Sequence, residues 1–240
     1  MPELTIVLPV YNEGPNIERV LDGIAGAVRT ERREVLVVYD FEEDDTVPAV
    51  RGLQARMPEV RLHRNDLGRG VLNAIRAGFL AGRAPYLLVM MADGSDEPEV
   101  VDEMVERARA GADIVAGSRY MKGGAQVGGP LLKRSLSRMA GLSLHWIGGV
   151  PIHDPTSNFK LYSRRLLERV TIESRAGFEL AIELTVKAHL LDLRIEEVPT
   201  TWRDRTRGSS RFRVWAWMPH YLRWYMRGLA GRFRARRSAV

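Results

Sequence analysis

The first half of the chain alternates short, unbroken apolar runs with segments whose apolar positions recur at helical spacing. Unbroken runs indicate strands that are buried on both faces of a parallel sheet. They predict strands over residues 4–10, 34–39, 59–63, 86–91 and 113–117. The segments between them predict helices over residues 15–28, 46–57, 71–81 and 99–110. This order predicts an α/β fold with a doubly wound, mostly parallel sheet and right-handed crossovers.

The regular alternation stops after the fifth predicted strand. Residues 118–130 form a basic loop rich in glycine, which we expect to be mobile. Beyond it the pattern predicts a helix over 131–147, a strand over 158–162, a helix over 178–191 and a strand over 194–201. With no internal repeat and no low-complexity linker, we expect one domain over residues 1–212 and a helical tail over 213–240.

The tail carries the positive charge of the chain. The net charge is +6, but residues 202–240 hold eleven arginines and one acid, about +10, which leaves about −4 for the rest. Aromatic residues alternate with arginines from Phe212 to Arg227, a composition suited to an anionic membrane interface. The alternative is that the aromatics pack on the core beside a solvated basic end. Nucleic acid is disfavoured as a partner because no binding motif accompanies the charge.

The absence of cysteine excludes disulfides and thiolate metal sites. The first residues lack the basic region and the long apolar segment of a signal peptide, and no run reaches the length of a membrane span. We therefore expect a cytoplasmic protein, peripheral at a membrane if the tail binds one.

Three predicted strands end in polar or acidic residues, in segments 9–13, 39–45 and 92–97. Because parallel strands have their carboxyl ends at one edge of the sheet, one crevice can use all three segments. Carboxylates there can hold a divalent cation and, through it, a diphosphate. Each turn alone also has a structural interpretation, such as Asp96 capping the next helix. Neither a GxGxxG motif nor a Walker lysine is present, which disfavours dinucleotide and P-loop sites.

The motifs in these segments resemble those of a known enzyme family. Residues 5–13, Thr-Ile-Val-Leu-Pro-Val-Tyr-Asn-Glu, resemble the opening of the inverting glycosyltransferases of family 2, which have the nucleotide-sugar-binding GT-A fold. The likeness continues in order through residues 38–40, 68–79 and 91–96. Segments 117–120, 154–162 and 197–211 are similar to the branch of dolichyl- or polyprenyl-phosphate mannose and glucose synthases. The resemblance covers roughly residues 4–212, and its specificity lies in the ordered set.

The resemblance implies roles for particular residues. The donor nucleotide sugar would be bound by Pro9, Tyr11, Glu13, Asp40, Arg69 and Ala92. Asp93 would be the metal-binding member of the family's Asp-x-Asp motif, with Ser95 and Asp96 beside it. Phosphates of donor and acceptor would meet Arg119, Lys133 and Arg134. Arg205 and Arg211 would close over the diphosphate, and Asp154 would lie near the reacting centre.

Two positions depart from the family pattern. Met91 stands where the first aspartate of Asp-x-Asp is usual, and Tyr39 where a pair of aspartates usually begins. A thioether is a poor ligand for a hard cation, but Mg²⁺ commonly uses only one or two carboxylates plus substrate phosphates. We therefore expect Mg²⁺ or Mn²⁺ to rely on Asp93 with Ser95 or Asp96. Whether the donor is a GDP-sugar or a UDP-sugar stays open.

The resemblance implies an inverting transfer of mannose or glucose from a nucleotide sugar to a polyprenyl phosphate. A lipid phosphate is already an anion and needs no strong general base. One alternative is a related transferase with a soluble or glycan hydroxyl acceptor, for which Asp154 is the candidate base. The other is a protein that binds nucleotide sugars without turnover, which the substitution at Met91 suggests.

Overall fold

The computed structural model describes residues 1–204 and 214–237, without the side chains of residues 132, 133, 214–217 and 232–237. Nine strands are found there: β1 (Leu4–Pro9), β2 (Arg33–Tyr39), β3 (Val60–Arg64), β4 (Tyr86–Val89), β5 (Ile114–Ser118), β6 (Ala125–Val127), β7 (Lys160–Ser163), β8 (Ile195–Pro199) and β9 (Thr201–Arg203). Seven form one sheet in the order β3-β2-β1-β4-β7-β5-β8, and β6 and β9 pair separately. The predicted α/β fold is confirmed.

Helices cover both faces of this sheet. In the described residues they are α1 (Gly14–Ala27), α2 (Thr46–Leu53), α3 (Val71–Ala81), α4 (Val101–Arg109, after a 3-10 turn at Pro98–Val100), α5 (Leu131–Trp146), α6 (Arg164–Arg169), α7 (Leu180–Leu190) and α8 (Val214–Arg237). Successive strand residues point to opposite faces, so Ile6 and Leu8 join the core under α1, α2 and α4. Val7 joins the second core, under α3, α7 and α8.

The antiparallel strand β7 decides where the functional edge of the sheet lies. β7 runs against both of its neighbours, and Lys160 at its start pairs with Val89 near the end of β4 and with Ala116 of β5. The segment before β7 therefore meets the carboxyl ends of the parallel strands. A seventh parallel strand would have placed that segment at the opposite edge.

Helix α8 confirms the helical tail, and its middle is anchored in the second core. Trp224 is only 2% exposed. Three cations surround its ring, with Lys187, Arg223 and Arg227 at 4.9, 5.3 and 4.7 Å from the centroid. Glu173 accepts from the same three cations at 2.9, 2.6 and 3.3 Å. These contacts dock this part of the tail on the core, as the alternative interpretation of the aromatics expected.

Several local features differ from the sequence prediction. The second helix ends at Leu53 instead of continuing to Met57. Residues 118–130, expected to be a mobile loop, contain β6, which pairs in parallel with β9. The strands β6 and β9, of three residues each, and the helix α6, of six residues, were not predicted, because they are too short to show the periodicity of their element type. The boundary expected at 212/213 lies outside the described residues.

Replacing Trp224 by alanine should lower the free energy of unfolding by about 3–5 kcal/mol. The substitution removes the contacts of a buried aromatic side chain, and the surrounding cations cannot fill the space that it leaves. Urea denaturation would measure the loss. Trp146→Ala is the matched control, since Trp146 is 70% exposed and should cost far less. Equal losses for the two variants would contradict the docking of α8 described above.

Candidate functional site

The turn after β4 holds two carboxylates in a constrained geometry. Asp93 is buried, and its Oδ1 accepts from the Ser95 amide at 3.1 Å. Asp96 Oδ2 accepts from the Met91 amide at 2.9 Å. Gly94 between them has a φ of +73°, a conformation that favours glycine. Burial, together with the nearby charge of Asp93, raises the pKa of Asp96 to about 7, although the Met91 amide and Arg119 oppose the shift.

This turn fits a divalent cation that is shared with a bound diphosphate. Two adjacent carboxylates, one of which resists ionisation, carry negative charge that a cation would offset. Within residues 1–204 and 214–237, no group of three or more His, Asp or Glu side chains is placed to hold a metal alone. Phosphate oxygens would have to complete the ligand set, as Mg²⁺ sites commonly require.

Arg19 of α1 approaches the same turn. A Cβ added to Gly94 would lie 2.6 Å from Nη2 of Arg19, so the guanidinium stacks closely over the glycine. Glycine at position 94 therefore both allows the turn conformation and leaves room for the Arg19 guanidinium. The sequence analysis missed Arg19, because an arginine on the outward face of an amphipathic helix looks like ordinary surface charge.

An aromatic pair lies just after β1 and β2, and an arginine from the segment before α3 contacts it. The rings of Tyr11 and Phe41 meet edge to face with centroids 5.5 Å apart, and the Arg69 guanidinium lies 5.0 Å from the Phe41 ring. Asp40 accepts from Asn65 Nδ2 at 2.7 Å and from the Gly70 amide at 2.8 Å. Tyr11, Asp40 and Arg69 are thus brought together, and Phe41 joins them. Phe41 had no signal in the sequence beyond its place next to Asp40.

The remaining acids after β2 shape the loop after β1. The Asn12 amide donates to Asp44 at 3.0 Å, and the Gly14 amide donates to Asp45 at 2.8 Å. Asp44 is fully buried, so it is a structural residue of this edge. The Glu13 side chain accepts from Asn16 Nδ2 at 2.7 Å. Pro9 is the buried last residue of β1, and Ala92 is buried in the turn after β4.

A buried ion pair joins the end of β5 to the segment before β7. Arg119 donates from Nε to Asp154 Oδ2 at 2.6 Å and from Nη2 to Oδ1 at 2.9 Å, and its backbone amide also donates to Oδ2 at 3.2 Å. Burial of Asp154 opposes its ionisation, but the Arg119 charge and hydrogen bonds lower the pKa of this carboxyl. Asp154 is therefore an ionised, fully buried carboxylate whose oxygens orient Arg119.

Two further buried ionisable residues fix the segment that carries Asp154. Lys160 Nζ donates to the carbonyl oxygens of Asp154 at 3.3 Å and Pro155 at 3.0 Å, and also to that of Ser157. Glu197 Oε1 accepts from the amides of His153 at 2.9 Å and Asp154 at 3.1 Å. The sequence analysis missed both residues. The available signal was Lys160, a lysine inside the strand predicted over residues 158–162.

The start of α5 lies against this ion pair. Ser137 Oγ is 3.4 Å from Arg119 Nη2 and 2.6 Å from Thr156 Oγ1. Burial raises the pKa of Tyr120, and Arg134 is close enough to offset part of that effect. Arg119 and Asp154 are therefore brought together, whereas no contact joins Arg134 to this pair among the described residues. The side chain of Lys133 and all of Arg205 and Arg211 lie outside the described residues.

Residues 5–171 match the family described as Glycosyl transferase family 2. The chain belongs to glycosyltransferase family 2. It is therefore an enzyme of the glycosyltransferase class.

Three curated relatives have related names. The chain is 29% identical to a dolichol-phosphate mannosyltransferase of Pyrococcus furiosus over 88% of its own length and 59% of the relative's. It is 32% identical to a polyprenol monophosphomannose synthase of Mycolicibacterium smegmatis, over 86% of its length and 79% of the relative's. It is also 32% identical to an undecaprenyl-phosphate mannosyltransferase of Micrococcus luteus, over 100% and 99%. The chain thus spans less than two thirds of the first relative.

Solved structures share the fold. Glucosyl-3-phosphoglycerate synthase of Mycobacterium tuberculosis, solved with Mn²⁺, UDP-glucose and phosphoglyceric acid, superposes with a TM-score of 0.69 at 18% identity, covering 95% of this chain and 80% of that chain. Its complex with UDP gives a TM-score of 0.68 at 19% identity, covering 95% and 80%. At these identities the likeness establishes the GT-A fold alone.

Removing Arg119 should destabilise the folded protein, because the buried Asp154 carboxylate would lose its compensating charge. Arg119→Met should lower the free energy of unfolding by about 3–5 kcal/mol near pH 7. The Asp154 pKa, now held below its unfolded value, should rise above it, so the variant's native state gains a proton as the pH falls. The deficit relative to wild type should therefore shrink between about pH 7 and about pH 5.

Chemical denaturation of both proteins across this pH range would measure the deficit. Arg51→Met provides the control, because Arg51 pairs with Glu42 at 3.5 Å on the surface and its loss should change stability little at any pH. A deficit for Arg119→Met that stays constant with pH would rule out the ionised, arginine-dependent state of Asp154.

Proposed function

We propose that the protein transfers a mannosyl group from a nucleotide sugar to a polyprenyl phosphate, with inversion at the anomeric carbon. The observation that carries this is that the acidic turn after β4 and the buried Arg119–Asp154 pair after β5 lie at the same edge of the sheet, because β4 and β5 run in the same direction. The names of the three relatives support mannose and a polyprenyl phosphate as the substrates.

The chemistry requires stabilisation of the leaving nucleoside diphosphate. Asp93, Ser95 and Asp96 would hold Mg²⁺ or Mn²⁺, which when bound supplies Lewis-acid stabilisation of the diphosphate. Arg119, oriented by Asp154, offers a preorganised cation to a phosphate group beside the turn. Lys133, Arg134, Arg205 and Arg211 remain further candidates for phosphate contacts in this proposal. On the donor side, Tyr11, Phe41 and Arg69 suit a nucleobase, while Glu13 and Asp40 suit the ribose or base.

The state of Asp154 supports a phosphate acceptor over a hydroxyl acceptor. A hydroxyl must lose its proton to a general base, which has to reach it by a hydrogen bond. Asp154 is fully buried, and both of its oxygens accept from Arg119. A lipid phosphate needs no such base, so Asp154 can serve as a positioning residue for Arg119.

Helices α5 and α8 offer a surface that would bring the protein to a membrane containing the lipid acceptor. They lie side by side, with Ser143 Oγ 2.9 Å from the Tyr225 hydroxyl and Gly228 against Leu144. We call the exposed apolar residues of the two helices, together with Ile147 just after α5, the α5–α8 face: Leu136, Met139, Trp146, Ile147, Leu222 and Met226. No helix of residues 1–204 and 214–237 has the length and apolar character to cross a bilayer. We propose that the α5–α8 face lies on an anionic membrane surface.

The metal assignment is tested by Asp93→Ala. Transfer of labelled mannose into an organic-extractable, mild-acid-labile product should fall about 1,000-fold, because several kcal/mol of charge stabilisation are lost. Met91→Leu is the control and should retain divalent-dependent transfer, since a thioether is not expected to bind the ion. Metal-dependent transfer that survives Asp93→Ala would exclude this assignment, and water-soluble products alone would exclude the lipid acceptor.

A donor screen separates GDP-sugars from UDP-sugars. At a concentration of 100 Kd the right donor with Mn²⁺ or Mg²⁺ should stabilise the folded protein by about 2.7 kcal/mol, which thermal unfolding detects. Mannose and glucose donors of both nucleotides form the arms of the screen. Donor binding without any transfer to polyprenyl phosphate would instead favour a binding protein without turnover.

Membrane contact through the α5–α8 face is tested by Met139→Glu. Placing a carboxylate on an apolar position of the face should weaken sedimentation with phosphatidylglycerol vesicles about tenfold, since the methionine contributes apolar burial at the interface. Leu80→Glu on α3 is the matched control, because Leu80 is 75% exposed and Met139 67%. Equal effects of the two substitutions would show that another surface binds the vesicle.

A further inference from the structure

A second polar pocket lies between the segment before α7 and the helix α8. Its volume is about 360 Å³, within the size range of small-molecule sites. The residues that line it include Glu173, Arg175, Glu179, His220, Arg223 and Trp224. Neither the sequence analysis nor the proposed chemistry uses this pocket.

Glu179 in the lining has an unsatisfied oxygen. The residue is 0% exposed, and one oxygen, Oε1, accepts from the amides of Arg175 at 3.0 Å and Ala176 at 2.7 Å. The other oxygen, Oε2, is buried and has no hydrogen-bond partner among the described residues. Leaving a buried carboxylate oxygen unsatisfied is costly, and native proteins rarely do so without a reason. A bound group that donates a hydrogen bond would satisfy it.

The pocket belongs to the active-site edge of the sheet. Helix α7 runs from Glu179 toward the start of β8, whose first residue pairs with the first residue of β5 at the opposite edge. Asn158, in the segment that carries Asp154, donates from Nδ2 to the Phe178 carbonyl at 3.4 Å. This contact joins the residue before Glu179 to the segment whose Asp154 pairs with Arg119.

The charges of the lining select the class of ligand. Glu173 already accepts from Lys187, Arg223 and Arg227, so its charge is compensated. The unsatisfied oxygen of Glu179 would repel an anionic ligand, and the guanidinium groups of Arg175 and Arg223 would repel a cationic ligand. A neutral group rich in hydroxyls meets neither repulsion, and it supplies the hydrogen-bond donor that Glu179 lacks.

We propose that Glu179 accepts a hydrogen bond from a hydroxyl of the transferred hexose, so that this pocket is the hexose subsite. This inference rests on the proposed function, because the hexose would arrive as part of the nucleotide-sugar donor. It makes Glu179 a binding residue that distinguishes the sugar from the bare nucleoside diphosphate.

The test compares the affinities for nucleoside diphosphate and for nucleotide hexose, each with Mn²⁺, by calorimetry. Glu179→Gln should weaken binding of the nucleotide hexose about tenfold and leave the affinity for the nucleoside diphosphate unchanged. Glu168→Gln is the matched control, because Glu168 is an exposed carboxylate on α6, away from this edge, and should change neither affinity. Among deoxy-hexose donors, one should bind wild type about tenfold more weakly than the parent sugar, with no such loss in Glu179→Gln.

The unfolding temperature separates binding from a structural role. Glutamine retains an oxygen for the amides of Arg175 and Ala176, so Glu179→Gln should unfold at no lower temperature than wild type. A lower unfolding temperature with an unchanged ratio of the two affinities would make Glu179 a loop-capping residue and overturn the subsite alone. Failure of wild type to bind any nucleotide hexose would overturn the proposed function and the subsite together.

Discussion

The ion pair between Arg119 and Asp154 is the interaction on which the candidate functional edge of the sheet depends. Two opposite charges taken from water need close pairing and further hydrogen bonds, and here the pairing is bidentate. Lys160 and Glu197 hold the backbone on the Asp154 side, so the carboxylate cannot withdraw. Since Arg119 directly follows β5, the pair also ties the parallel part of the sheet to the segment before the antiparallel strand. A cation is thereby preorganised next to the acidic turn.

Helix α8 shows how one amphipathic segment combines two environments. Trp224 is enclosed by core side chains and three cations, whereas Leu222 and Met226 remain exposed on the other side of the helix. Composition alone presented core packing and membrane contact as alternatives for the tail. Because a helix has two faces, docking through the inner face leaves the exposed side of α8 available for the membrane contact that we propose.

Much of the fold was predictable, because strands buried on both faces of a parallel sheet have unbroken apolar runs in the sequence. The apolar runs that predicted β1 to β5 agree with the observed strands to within two residues, and α3 has the predicted bounds. The direction of β7 could not be predicted, because an antiparallel strand buried on both faces has the same apolar pattern as a parallel one. Likewise Phe41 and Arg19 belong to the crevice only through contacts with residues far away in the chain.

The sequence by itself determined that strands end in carboxylates at one edge of an α/β sheet, and its ordered motifs indicated the family. It could not determine what each carboxylate does. Asp44 caps backbone amides, Asp154 is neutralised by Arg119, Asp96 is left with a raised pKa, and one oxygen of Glu179 lacks a partner among the described residues. Only the tertiary structure decides among these states. The physical reason is that the ionisation and availability of a carboxylate depend on burial and on partners that are brought close only by packing.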